Sequence, residues 1–117
     1  MSKYNSHKIA EWGYYIFILS TALFLRTFEL SNRAMHHDES MHAYYSWQLH
    51  EGFGLVHNPM LHGPLQMELT SIIFTLIGDS DFTARILYAI FGTILVGLPF
   101  LFRSRLGTWG AIFTSLF

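Results

Sequence analysis

Four apolar stretches run along this chain, divided by polar segments, and their lengths limit what each can do. "WGYYIFILSTALFL" (Trp12–Leu25) carries no charge, with Lys3 and Lys8 before it and Arg26 and Glu29 after it. As a helix it covers about 21 Å, short of a hydrocarbon core about 30 Å thick. Spanning length is reached if Arg26 snorkels and the helix continues to about Leu30, so a transmembrane helix is expected over residues 10–30. The basic start and the small Ser20 and Ala22 also fit a cleaved signal peptide loosely, although the aromatic-rich run continues past that site.

"ILYAIFGTILVGLPFLF" (Ile86–Phe102) is uncharged, with Arg85 before it and Arg103 and Arg105 after it. It predicts a second transmembrane helix over residues 83–102, with Pro99 in its last turn. A third run opens near residue 108 and stops at Phe117, too short to cross a bilayer. Between the two spans, "PLQMELTSIIFTLIG" (Pro64–Gly78) reads as a helix that is apolar only after Glu68, and so too short to cross.

The basic residues order these segments. Lys3 and Lys8 at one end and Arg103 and Arg105 at the other both reach the cytoplasmic side only if two crossings join them. The N-terminus is then cytoplasmic, the chain multi-pass in the plasma membrane, and residues 32–81 an extracytoplasmic loop. Pro64–Gly78 would lie along the outer interface. In the same loop Asp38 is expected to cap a helix over Glu39–Glu51 that Gly52 ends. Met41, Tyr44, Tyr45, Gln48 and Leu49 give that helix an apolar, tyrosine-rich side suited to the headgroup level. The expected fold class is an all-α polytopic membrane protein: a transmembrane helix, two juxtamembrane helices, a transmembrane helix and the start of a third.

Composition agrees with a lipid bilayer as partner. The 117 residues are 51% hydrophobic and 13% charged, against roughly a quarter charged in soluble domains. A net charge of −1 gives no basic face for a nucleic acid, so none is expected as a partner. Without cysteine, disulfides and thiolate metal sites are excluded.

Chemistry concentrates in "MHHDESMHAYYSW", Met35–Trp47. An Asp–Glu pair at a helix start complements the helix dipole and needs no chemistry to explain it. Charged groups at a membrane boundary in so apolar a chain nevertheless mark functional sites. Glu39 and His42 stand three apart on one helical face, as in half of a di-iron carboxylate site, but the other half is missing because Glu51 has Gly54 three residues on. A zinc-protease motif fails as well, since Asp38 occupies the place of its first histidine. His36, His37, Asp38 and His42 remain a candidate set for a divalent metal ion, the one cofactor the sequence suggests. His7, His50 and His57 show no ligand spacing. Ser40 and Ser46 lack the glycine elbow of a nucleophile. Asp38 beside a second acid at a partly dry boundary suits a general base.

The Asp–Glu pair after a first membrane helix, then "HAYYSWQLHEG", "NPMLHGPL" and "LIGDSDFTARILYAIFG", resembles the start of polyprenyl-phosphate-sugar glycosyltransferases of the GT-C fold. That superfamily includes the dolichyl-phosphate-mannose protein mannosyltransferases and the lipid A aminoarabinose transferases. The likeness is greatest to a microbial branch labelled flippase-activity-associated. The resemblance implies a catalytic role for Asp38 with Glu39 as its neighbour, and juxtamembrane helices at residues 38–51 and 64–78. His62, in "HGP", would lie near the lipid phosphate, where relatives place a basic residue before prolines. His37, His42 and Tyr45 become candidate substrate contacts. "GDSDFTAR" is read as structural, with Arg85 anchoring the second crossing.

The implied reaction transfers a sugar from a polyprenyl-phosphate donor to a hydroxyl of a glycan, lipid or protein acceptor outside the cytoplasm. The cation facing the departing phosphate would be His62 or a metal. Family members carry many more helices, so the chain is expected to be the N-terminal piece of such an enzyme, inactive alone. The alternatives are a non-enzymatic two-helix membrane protein whose histidine-rich loop binds a metal or partner, and an accessory of a lipid-linked-sugar flippase.

Overall fold

The computed structural model describes residues 2–55 and 63–116. It is helical throughout, with no strand among the described residues: α1 (Ser2–Thr27), α2 (His37–His50), α3 (Pro64–Ile77), α4 (Asp81–Leu101) and α5 (Arg103–Leu116). The chain divides into two compact units, Glu29–Tyr88 on one hand and Met1–Phe28 with Ala89–Phe117 on the other.

Among the described residues one helix, α4, is long and apolar enough to cross a membrane. Its 21 residues extend about 31 Å, close to the thickness of a hydrocarbon core. Ile90, Phe91, Ile94, Leu95, Leu98 and Leu101 leave it a broad exposed apolar surface. The sequence led us to expect a second such helix at residues 10–30. The 26-residue α1 has the length, but Lys3, Lys8, Glu11 and Arg26 lie within the helix instead of flanking it.

In the unit Glu29–Tyr88, α2 and α3 pack against each other. Met67, Thr70, Ser71 and Phe74 of α3 are buried, a spacing of three, one and three residues that marks one helical face. The small Ser46, fully buried on α2, donates to His42 O at 2.7 Å, which satisfies its hydroxyl within its own helix. Farther along, the His50 and Thr75 side chains meet at 3.0 Å.

The ends of these helices follow local chemistry. Helix α2 stops as expected at Gly52: Gly52 N–H donates to Leu49 O at 3.2 Å and Phe53 N–H to Gln48 O at 3.0 Å. Those paired bonds need the positive φ of 83° that glycine adopts freely. Pro64 opens α3 in its first turn, where its missing N–H costs nothing. The turn expected at Gly78–Asp81 leads into α4 through a reciprocal cap. Thr83 N–H donates to Ser80 Oγ at 3.1 Å, and Ser80 N–H to Thr83 Oγ1 at 2.8 Å.

In the other unit Tyr15, Ala111 and Ile112 form a small core with Ile18 and Phe100 against it. Trp12 meets the Phe100 ring edge-on at 4.8 Å, and the Arg103 guanidinium lies 4.1 Å from the same ring. Glu11 ties the unit together, 3.6 Å from Arg103 and accepting from Thr108 Oγ1 at 3.2 Å. Gly107, where φ is 71° and ψ 160°, parts a short helical turn at residues 103–106 from the helix expected from about residue 108.

Candidate functional site

The ionisable cluster opens α2, and the start of the helix separates its two acids. Asp38 was expected to be the cap. His36 caps instead: its Nδ1 accepts from Asp38 N–H at 3.4 Å, while Glu39 Oε2 accepts from His36 N–H at 3.1 Å. The glutamate three residues into the helix reaches back and closes a capping box, which moves the cap two residues earlier, from 38 to 36.

That reach brings Glu39 to a buried partner. Arg85, in the second turn of α4 and 6% exposed, donates from Nη2 to Glu39 Oε2 at 3.2 Å and from Nη1 to Leu30 O at 2.8 Å. On the solvent side Arg33 Nη2 lies 3.4 Å from Glu39 Oε1. Glu39 is thus held by one backbone N–H and two guanidinium groups. The His36 N–H chiefly holds its carboxyl below the usual glutamate range; Arg85 and Arg33 pull the same way, and partial burial opposes them.

Asp38 is placed differently. Its side chain is 71% exposed, and its Oδ2 lies 3.9 Å from His36 Nδ1. One acid is fastened into the protein and its neighbour is presented to the outside.

The other candidate residues scatter. His42 is half-buried and, with Glu39, lines a small cavity that Gln66, Thr70, Arg85 and Tyr88 close from α3 and α4. Gln66 Nε2 donates to the Tyr88 hydroxyl across it. His37 is exposed, and Tyr45 is half-buried on α2 with its ring 5.6 Å from that of Tyr44. Neither His37 nor Tyr45 lines the cavity. His62 lies outside the described residues.

Among the described residues no three histidine, aspartate or glutamate side chains converge to hold a metal. The set Asp38, His37 and His42 is therefore not assembled, because residues 37 and 38 leave the helix about 100° apart while only 38 and 42 share a face.

A second depression in the same unit, about 260 Å³, is walled by Tyr44, Trp47 and Phe74 and edged by Asp79 and Asp81. The Tyr44 and Trp47 rings stack with an interplanar angle of 26°.

Sequence reasoning missed both arginines. Arg85, expected to anchor the second crossing, lies inside α4 but is nearly out of solvent. A buried arginine requires a carboxylate, and the Asp38–Glu39 pair was the obvious supplier. Comparison of the chain with protein-family models, with curated proteins and with solved structures finds no match.

Proposed function

We propose that the chain carries the outer-face acid site of a membrane glycosyltransferase that uses a polyprenyl-phosphate sugar as donor, and that it forms the N-terminal part of such an enzyme in the plasma membrane. The observation that carries this reading is the split pair: Glu39 tied to Arg85 and Arg33 while Asp38, the next residue, is held in water. A carboxylate on a fixed helix start, open to a substrate, suits a general base.

In the reaction, Asp38 takes the proton of an acceptor hydroxyl as its oxygen bonds to the anomeric carbon. The bond from that carbon to the phosphate oxygen breaks, and the lipid phosphate leaves with the electron pair. Positive charge developing on the sugar ring is offset by the carboxylates. The departing phosphate needs a cation, and Arg33, 78% exposed beside Glu39, supplies one without a metal. The aromatic walls of the Tyr44–Trp47 depression offer flat faces for a sugar, with Asp79 and Asp81 accepting from hydroxyls.

The test is Asp38→Asn in the whole protein that contains this sequence, assayed for transfer from a lipid-phosphate sugar in membranes. Loss of about 100-fold or more in kcat with normal membrane insertion is the expected result. Retained transfer would remove Asp38 from the mechanism.

A further inference from the structure

The cavity beside Glu39 offers about 10 Å³, room for one water molecule and nothing larger. Three of the side chains around it each keep a buried polar atom without a hydrogen-bond partner in the protein: His42 Nδ1, Thr70 Oγ1 and Arg85 Nε. They come from α2, α3 and α4, one from each. Thr70 and Arg85 are 2% and 6% exposed, so bulk water does not serve them. Buried polar groups of this kind are normally bonded, and each left unbonded is costly. The other two such atoms among the described residues, Tyr15 Oη and Ser115 Oγ, belong to the other unit. Three such side chains lining a single water-sized space mark a site and not scattered packing faults.

We infer that this cavity is a binding site for one ordered water that joins α2, α3 and α4. The donor and acceptor chemistry closes around it. Arg85 Nε–H donates only, so the water oxygen accepts from it. The Thr70 hydroxyl donates to the second lone pair. One water hydrogen goes to His42 Nδ1, which places the imidazole proton on Nε2. Three bonds are the usual complement of a buried water. The water also completes Arg85, whose Nη1 and Nη2 are already engaged by Leu30 O and Glu39. The guanidinium that fixes Glu39 is then bonded at all three nitrogens. This inference does not depend on the reading of Asp38 as a catalytic base.

Water-selected nuclear Overhauser spectroscopy on the full chain, methyl-labelled in micelles, tests it. The methyls of Ala43 and Ala84, which also line the cavity, and the Arg85 Nε proton should each show a cross-peak to a long-lived water. The Ala43 and Ala84 peaks should persist in Thr70→Val, where His42 and Arg85 still hold the molecule. Loss of those peaks in a folded Thr70→Val chain would trace them to the Thr70 hydroxyl proton and overturn the proposal. Absence of cross-peaks to all three groups in the unsubstituted chain would overturn it without any variant.

Discussion

Glu39 and Asp38 are adjacent carboxylates with opposite surroundings, and substitutions should separate them. Removing Arg85 leaves Glu39 partly buried without its inner partner, and breaking such a pair is costly because the remaining charge is uncompensated. Glu39 is about one-third exposed, so water recovers part of the loss, and Arg85→Met should destabilise the fold by about 1–3 kcal/mol. Glu39→Gln, which keeps an acceptor for His36 N–H and Arg85, should cost less than Glu39→Ala; denaturant unfolding of the three variants gives the order. Asp38→Asn should leave stability unchanged within about 0.5 kcal/mol, being exposed. Acid provides an independent check on Glu39. Its folded carboxyl titrates below the ordinary 4.5, so its stabilisation is fully present above that value and is lost as pH falls through the lower folded value. Thermal midpoints should fall more steeply below about pH 4.5 for the unsubstituted chain than for Glu39→Gln, and parallel curves would show the carboxylate is not held as described. The sequence made the acid pair conspicuous, but not its division of labour. That division depends on Arg85, 46 residues away, meeting one helix face and not the next.

Helix boundaries were far more legible than partners, because they are local. The helices expected over 38–51 and 64–78 occupy His37–His50 and Pro64–Ile77, and that expected over 83–102 occupies Asp81–Leu101. Glycine and proline punctuate each of them. The exception has a local cause too: His36 displaces Asp38 as cap because Glu39 reaches back, while Gly107 parts a turn at residues 103–106 from the helix expected from about 108. Two of these glycines carry a conformation that side chains resist. Gly78, at φ 98° and ψ 159°, and Gly107, at φ 71° and ψ 160°, lie in a region that is essentially glycine-only. A Cβ at either position meets no atom within 4 Å, so any cost is backbone strain and not collision. Gly78→Ala and Gly107→Ala should each destabilise the fold by about 1–3 kcal/mol, seen as a lower denaturation midpoint. Gly92→Ala gives a useful contrast. Its Cβ would come 2.8 Å from Arg26 Nε, toward the end of a flexible side chain that can swing aside, so the substitution should be tolerated.

At the scale of the whole molecule, the number of bilayer crossings decides which side the acid site faces. Among the described residues one helix qualifies by length and composition, and the charges inside α1 are what separate it from α4. The proposed function requires α1 to cross as well, since an outer-face acid loop must be entered from a cytoplasmic start. The cost is confined to its ends: Glu11 is paired with Arg103, and Arg26 donates to Ala22 O at 3.0 Å, which lets the apolar middle, Ile16–Leu25, remain in lipid. The chain has no cysteine, so single cysteines report sidedness without background. In sealed membrane vesicles of known orientation, Ser80→Cys, before α4, should react with an impermeant maleimide from the outer face. Ser104→Cys, beyond α4, should react only after the vesicles are opened. Ser6→Cys decides α1: protection together with Ser104 means two crossings and places the Asp38 loop outside, as glycosyl transfer from a lipid-linked donor demands. Labelling of Ser6 with Ser80 from the outer face would leave α4 as the one crossing and put the acid site and the N-terminus on the same side. The glycosyltransferase reading would then lose its topology, whatever activity Asp38 shows.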